Sequence, residues 1–279
     1  MDRFSTVIDP NTTTPVMAVW ADGGMGKSSL MAKMIHECSL RNLRKVEIIY
    51  TKGNVPDYLG IMRKCRDDLG ANSFASFTDL VNYYTVPQYN LTVKVEGSVE
   101  AGNNMHLEPG AQVGNITGVI VNVRDQMFSD PRNDLNVSAG ERSRKLTDKF
   151  LEHVANVAAA GVIVIFIDGA ERMAEVEETS EWFWNSLIRG IAERGVTNVR
   201  FIILGRTKPK VDRYKRDLVV FNELQPLAKS DVMEYLSKRG VPPDEVAATA
   251  KTLMAAYKGL PLDIAATVDT LLESEDDQT

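Results

Sequence analysis

The hydrophobic positions of the chain form five short apolar runs, separated by longer segments with helical periodicity. The runs are rich in Val, Ile, Leu and Phe and are each four to seven residues long, which favours strands. They lie at residues 16–20, 45–50, 162–168, 199–204 and 218–221. Because amphipathic helices alternate with these strands, the pattern predicts an α/β fold with three layers, in which helices cover both faces of a mainly parallel five-stranded sheet.

Three helices between the strands have recognisable starts or faces. Residues 56–69 place apolar side chains on one helical face. Ser138, followed three residues later by Glu141, has the form of a capping box and predicts a helix from there to about Ala159. Ser180 is predicted to cap a further helix that Gly195 closes. The run at 162–168 is almost wholly apolar before Asp168, so it predicts a central strand buried on both faces.

Beyond the fifth run the pattern is purely helical. Helices are predicted over residues 230–238, 244–257 and 261–272. Gly259 suits the position just after the second of these helices, and Pro261 suits the first position of the third. The chain is therefore predicted to consist of an α/β domain over residues 1–224 and a small helical domain over residues 225–279.

The segment at about 86–128 interrupts the alternation of strands and helices. Leu91, Val93 and Val95 alternate with polar residues, and turn-forming residues follow at 102–104 and 108–110. This pattern predicts a β-hairpin or a small antiparallel insertion. The insertion is either a module that binds a partner protein or a decoration that only lengthens a connection.

The first strand is followed by a glycine-rich segment and then by a helix. Its residues are Asp22, Gly23, Gly24, Met25, Gly26, Lys27, Ser28 and Ser29. Glycines allow several backbone N–H groups to point into one concavity, and the helix that follows adds the positive end of its dipole. In such a loop the lysine reaches nucleotide phosphates and the Ser28 hydroxyl ligates Mg²⁺. The alternative is a simple glycine-rich turn, because the usual pattern has glycine at position 21, where this chain has Ala21.

Two acidic residues and one arginine follow predicted strands and are candidates for the same site. Asp168 ends the central strand, where it can hold Mg²⁺ or simply shape a turn. Glu171 can orient or deprotonate an attacking water, or lie in a solvated acidic segment. Arg206 follows the fourth strand and can contact a γ-phosphate, or be an exposed loop residue.

Charge and cysteine content narrow the expected partners and compartment. The formal net charge of −6 provides no global basic field, so nucleic acid is not the first expectation, although a local patch would suffice. Cys38 and Cys65 occupy apolar helical positions, which indicates buried free thiols in a reducing compartment. With no signal-like N-terminus and no apolar run that could span a bilayer, the sequence predicts a cytoplasmic protein that does not insert into membranes.

Four sequence elements together resemble the signal-transduction ATPases called STAND, which include the NACHT and NB-ARC branches. These elements are Gly23-Gly24-Met25-Gly26-Lys27-Ser28-Ser29-Leu30, Phe166-Ile167-Asp168-Gly169-Ala170-Glu171, Leu204-Gly205-Arg206 and Gly259-Leu260-Pro261-Leu262. The resemblance implies a nucleotide-binding domain followed by a helical domain, with ATP or ADP and Mg²⁺ as ligands. It also implies that Lys27 and Ser28 bind phosphate and Mg²⁺, that Asp168 supports Mg²⁺, that Arg206 senses the γ-phosphate and that Pro261 lies against the adenine.

Three departures from this family pattern affect what is expected of the site. Ala21 replaces the first loop glycine, Arg172 stands where NACHT proteins usually carry a further acidic residue, and Gly205 replaces a Thr or Ser before the sensor arginine. The second departure bears on hydrolysis more than on binding. Measured against the family, the chain is expected to be a fragment or a minimal form.

Three functions fit these observations. The first is a nucleotide-operated signalling switch with slow Mg²⁺-dependent ATP hydrolysis, in which nucleotide exchange controls conformation and self-assembly. That assembly, or the binding of a partner protein, would use the helical domain or the insertion. The second is an AAA+ type ring ATPase or loader with steady turnover, for which Arg194 is an unassigned candidate for a neighbour's phosphate. The third is a non-catalytic interaction module that retains the fold.

Overall fold

A computed structural model describes residues 2–12, 14–85 and 138–276. The predicted insertion at about 86–128 lies outside the described residues.

The centre of the molecule is a five-stranded sheet, as the apolar runs predict. Its strands are β1 (Val16–Trp20), β2 (Arg44–Ile49), β3 (Ile163–Asp168), β4 (Val199–Gly205) and β5 (Val219–Glu223). Their order is β2-β3-β4-β1-β5, and every pairing is parallel. β3 and β4 are almost completely buried, which explains their continuous apolar sequence.

The register of the strands brings their carboxyl ends to one edge of the sheet. Trp20 is opposite Gly205, and Asp168 is opposite Leu204 on one side and Ile49 on the other. The loops after β1, β3 and β4 therefore meet at this edge, where ligands bind in open parallel α/β sheets.

Helices cover both faces of the sheet. Phe4, Met31 and Met34 pack on one face, and this face is covered by α1 (Asp2–Val7) and α2 (Lys27–Leu40). The other face carries a larger apolar cluster and more helices. It is covered by α3 (Tyr58–Leu69), α4 (Ala75–Thr85), α5 (Ala139–Ala158), α6 (Ala170–Met173), α7 (Glu177–Trp182) and α8 (Arg189–Glu193).

Most predicted helix boundaries agree with the structure to within two residues, the last helix extends to Asp276 rather than 272, and one predicted start is wrong. Ser138 accepts a hydrogen bond from the backbone N–H of Glu141 at 3.2 Å, as the capping box predicts. Ser180, however, lies inside α7, and its N–H donates to Val176 O at 3.0 Å, so it does not cap a helix. The helix begins three residues earlier, and the chain continues from α7 through a π-helical segment, Phe183–Ile188, into α8.

The C-terminal helices are α9 (Lys229–Lys238), α10 (Pro243–Tyr257) and α11 (Pro261–Asp276). They share an apolar cluster that includes Val232, Leu236 and Ile264. Gly259 follows α10 with φ of 81°, and a Cβ there would lie 2.3 Å from Leu227 O, so only glycine fits this connection. Among the described residues, no helix is long and apolar enough to cross a membrane.

Candidate functional site

The glycine-rich loop connects β1 to α2 at the carboxyl edge of the sheet. Gly24 and Gly26 have φ of 80° and 78°, in the left-handed region that favours glycine. Ala21 has no positive φ, and its N–H donates to Gly205 O at 3.2 Å in continuation of the β1–β4 pairing. An alanine is therefore compatible with the first position of this loop, and the departure at Ala21 does not disturb its course.

Lys27 begins α2 and directs its side chain back over the loop. Its ammonium group donates to Ala21 O at 2.6 Å and to Asp22 O at 2.7 Å. Ser28 and Ser29 follow in the first helical turn, where backbone N–H groups have no partner within the helix. A positive side chain and a helix N-terminus therefore converge on one concavity, which is the arrangement that binds phosphate.

Asp168 and Ser28 are the oxygen donors that could hold a magnesium ion. Asp168 ends β3, and its Oδ1 accepts a hydrogen bond from Gly169 N at 2.9 Å, which fixes the carboxylate at the strand end. Both side chains line the same cleft. Mg²⁺ commonly uses one or two protein oxygens and takes its remaining ligands from phosphate and water, so this pair fits the ion. Within the described residues, no group of three or more His, Cys, Asp and Glu side chains could hold a metal alone.

Glu171 and Arg206 contact each other across the ends of β3 and β4. Glu171 Oε2 accepts from the backbone N of Arg206 at 3.0 Å, and Oε1 lies 3.7 Å from Arg206 Nε. A Cβ on Gly205 would lie 3.1 Å from Glu171 Oε2, so the glycine that departs from the family pattern makes room for this carboxylate. The Arg206 side chain remains 69% exposed, which leaves most of its donor groups accessible.

The C-terminal helices form the opposite wall of the cleft and touch the glycine-rich loop directly. The backbone N–H of Leu262, in the first turn of α11, donates to Gly24 O at 3.1 Å. A Cβ on Gly24 would meet the side chains of Leu260 and Leu262 at 3.5–3.6 Å, and one on Gly26 would meet Pro261 at 3.9 Å. The loop that is suited to phosphate is therefore in contact with both parts of the chain.

These groups surround a cleft of about 630 Å³, which is within the usual volume of small-molecule sites. All three predicted catalytic residues line it, namely Asp168, Glu171 and Arg206. Of the predicted ligand-binding residues it is lined by Gly23, Gly24, Gly26, Lys27, Ser28, Ser29 and Pro261. Asp22 and Met25 belong to the loop but do not line the cleft. The Asp22 side chain is exposed, and Met25 is buried.

The cleft also contains residues that sequence reasoning did not place there. Thr51 and Lys52 follow β2, and Tyr235 contributes from α9. Arg172 in α6, which the family pattern already singles out, also lines the cleft. Thr51 and Lys52 are near the site because β2 is the neighbour of β3, and the sequence alone does not reveal that strand order. No sequence signal marks Tyr235, whose position depends on how the C-terminal helices pack.

No family model matches the chain, and no curated protein matches it. Solved structures give weak likenesses. A STAND protein with a tetratricopeptide repeat sensor from Pyrococcus horikoshii is 15% identical, with a TM-score of 0.47. ORC1 of Aeropyrum pernix in complex with DNA and Drosophila ORC bound to DNA are each 12% identical, with TM-scores of 0.44 and 0.43.

The chain corresponds to only part of these proteins. The aligned region covers 95% of this chain but 28% of the Pyrococcus protein, and 98% of this chain but 59% of each ORC protein. The fold class follows from the chain's own geometry. A parallel sheet ordered β2-β3-β4-β1-β5, with a glycine-rich loop between β1 and α2 and an aspartate at the end of β3, has the architecture of a P-loop NTPase.

Proposed function

We propose that the cleft binds ATP and ADP together with Mg²⁺, and that the chain acts as a nucleotide-operated signalling switch of the STAND type with slow ATP hydrolysis. In this proposal Lys27 and the first turn of α2 hold the phosphates, and Ser28 and Asp168 hold the ion. Arg206 contacts the γ-phosphate, and Glu171 orients the attacking water. Pro261 and Tyr235 provide apolar surface for the base.

The observation that carries this proposal is the hydrogen bond from Leu262 N–H to Gly24 O. A nucleotide in the loop would change the surroundings of a carbonyl group to which the first turn of α11 is attached. In this proposal, phosphate binding and the position of the C-terminal helices are linked through this backbone contact. Such a link suits a switch, because a ligand shifts a conformational equilibrium only through different contacts in its two states.

The free-energy difference that such a switch requires follows from the arithmetic of two-state equilibria. To convert the population almost fully, ATP and ADP must differ in their preference for the two conformations by about 5.5 kcal/mol. Contacts of the γ-phosphate with Arg206, which are unavailable to ADP, would supply part of this difference. The conformational change would in turn control self-association or the binding of a partner protein.

The binding part of the proposal is tested by calorimetric titration of the full chain with ATP and with ADP in the presence of Mg²⁺. We expect Lys27→Ala to weaken binding about 10- to 100-fold, because it removes charged hydrogen bonds to phosphate. The matched control is Lys33→Ala, an exposed lysine on the same helix that does not line the cleft. Equal affinities for Lys27→Ala and the control would refute a nucleotide site at this loop.

The switching part is tested separately by small-angle scattering and sedimentation on the same samples. We expect the ATP and ADP complexes to differ in radius of gyration or in oligomeric state. If both nucleotides bind and leave both quantities unchanged, the chain is not a switch. Rapid turnover that rises with protein concentration would instead support a ring ATPase.

A further inference from the structure

β2 lies at an edge of the sheet and has one strand neighbour among the described residues, β3. Tyr50 N–H donates to Asp168 O at 2.9 Å, so the backbone groups of Tyr50 point toward β3. Because these groups alternate between the two sides along a strand, those of Lys45, Glu47 and Ile49 point away from the sheet. The outer side of β2 therefore presents N–H and C=O groups in position to pair with a further strand.

The two outermost strands of the sheet, β5 and β2, differ in how their outer sides are covered. At β5, Arg3 from α1 donates to Phe221 O at 3.4 Å and to Asn222 Oδ1 at 2.8 Å. In β2 and near it in the sequence, large apolar side chains are exposed, namely Leu40 (69%) at the end of α2, Ile49 (49%) at the end of the strand and Val55 (37%) after it. An edge strand with exposed apolar neighbours is the kind of edge that pairs with another chain.

Two of the three charged residues of this edge strand, Lys45 and Glu47, have no oppositely charged partner among the described residues. Lys45 donates to the neutral hydroxyl of Ser39 at 2.7 Å. In the part of the chain that the structure describes, neither Lys45 nor Glu47 is within ion-pair distance of an oppositely charged side chain. Both side chains belong to the same face of the strand, because they are two positions apart.

The sequence of β2 is complementary to itself when two copies run antiparallel about Val46. In this register Lys45 is opposite Glu47 of the second copy, and Glu47 is opposite Lys45. The apolar Leu43 and Ile49 also face each other. The register pairs odd-numbered residues with odd-numbered residues, which are the ones whose backbone groups point outward. Shifting it by two residues would place Lys45 against Lys45 or Glu47 against Glu47, which is destabilising.

We propose that β2 is a dimer interface, at which two copies of this chain pair antiparallel through their edge strands and extend the sheet across a two-fold axis. The pairing supplies four backbone hydrogen bonds between Lys45 and Glu47 of the two copies and two cross-strand ion pairs. The partner strand belongs to a second copy of this chain, because two separate features select the same register. These are the charge pattern and the positions of the backbone groups that point outward. An unrelated extended peptide would satisfy the backbone without matching both charges.

This interface is independent of the proposed nucleotide function, since β2 pairs through residues 45–49 and none of these lines the cleft. The test is sedimentation of the full chain over a range of concentrations, with and without ADP. We expect a dimer in both conditions. Lys45→Glu and Glu47→Lys should each weaken dimerisation about tenfold or more, because each places like charges opposite one another twice.

The double variant Lys45→Glu with Glu47→Lys restores both ion pairs with their signs exchanged, and it should recover dimerisation. Lys238→Glu and Glu234→Lys make the same changes in net charge at an exposed surface pair on α9 and serve as controls. A wild-type chain that stays monomeric at every concentration would overturn the proposal. So would a dimer that is insensitive to both single reversals, or one that the double variant fails to restore. Nucleotide affinity measured on the same variants reports separately on the cleft.

Discussion

Arg200 is a charged residue in the centre of the fold, on β4, and it is only 1% exposed. Its guanidinium group donates to Val7 O at 2.6 Å, to Asp9 O at 2.8 Å and to Thr12 O at 3.2 Å, and also to Thr197 O. Burial lowers the pKa of this group, with Asp9 acting in the opposite direction. The side chain is thus satisfied by backbone carbonyl groups, and it fastens the segment before β1 to the sheet.

We expect Arg200→Met to lower the free energy of unfolding by about 2–4 kcal/mol, because several buried carbonyl oxygens lose their donor. Arg200→Lys should lower the free energy of unfolding by an intermediate amount, since an ammonium group cannot donate hydrogen bonds to as many of these carbonyl groups as the guanidinium. Urea unfolding followed by circular dichroism measures both. Arg3→Ala removes an exposed arginine from the same N-terminal segment and is the control. A loss for Arg200→Met no larger than for Arg3→Ala would contradict this role.

The contact between α11 and the glycine-rich loop belongs to the scale of elements, because it joins a helix end to a strand–helix connection. Leu262 is the second residue of α11, where proline is tolerated by the helix but has no N–H to donate. Leu262→Pro therefore removes the hydrogen bond to Gly24 O without breaking the helix. Leu262→Ala retains that N–H and removes most of the same side chain.

If the contact links the loop to the C-terminal helices, Leu262→Pro should accelerate ADP release severalfold, whereas Leu262→Ala should have a smaller effect. One lost backbone hydrogen bond contributes about 1 kcal/mol, which corresponds to about a fivefold change. Displacement of a fluorescent ADP derivative in a stopped-flow experiment measures the rate. Equal rates for the two variants would mean that the side chain matters and the backbone contact does not.

The elements that the sequence predicts correctly are those whose own residues determine them. The five strands are short apolar runs, and the helix after Ser138 has its cap in the sequence. Three helices of the described residues, α1, α4 and α6, were not predicted, and α6 has only four residues. α1 is short, and α4 follows α3 almost directly, with only the 3₁₀ turn Ala71–Phe74 between them. The wrong start at Ser180 arose because a residue suited to a cap can equally lie inside a helix when an earlier turn already forms.

The candidate site was predictable to the extent that parallel strands bring their carboxyl ends together. This rule collects Lys27, Asp168 and Arg206 without knowledge of the strand order. The presence of Lys52 depends on β2 lying beside β3, and the contact of Glu171 with Arg206 depends on the room left by Gly205. The strand order and the fit of Glu171 beside Gly205 are properties of the tertiary structure, which local sequence patterns do not contain.

At the scale of the whole molecule, buried titratable groups make the stability of the fold depend on pH. Burial raises the pKa of the Cys38 thiol from 9.0 to about 11 and that of the Cys65 thiol from 9.0 to about 12. Burial also raises the pKa of Tyr50 and of Tyr58. All four groups are therefore held in their neutral form by the fold, and both cysteines are buried and free.

A raised pKa stabilises the folded state below the unfolded value and ceases to do so as the pH approaches the folded value. We therefore expect the free energy of unfolding to fall as the pH rises from about 9 toward 11, by about 2 kcal/mol or more. Urea unfolding at several pH values measures this. A variant with both cysteines replaced by alanine should be less stable at neutral pH but should lose stability less steeply in that range. An unchanged slope would contradict the assignment to the thiols.

Lys27 already donates hydrogen bonds to Ala21 O and Asp22 O, and a phosphate that binds at this loop would have to replace them. Both acceptors of the ammonium group are backbone oxygens of the glycine-rich loop itself. A phosphate would therefore enter by ligand exchange, in which anionic oxygens displace neutral ones around the same cation. The net affinity would be the difference between two sets of interactions, and the lysine would act as an internal template that preserves the curvature of the loop between successive ligands.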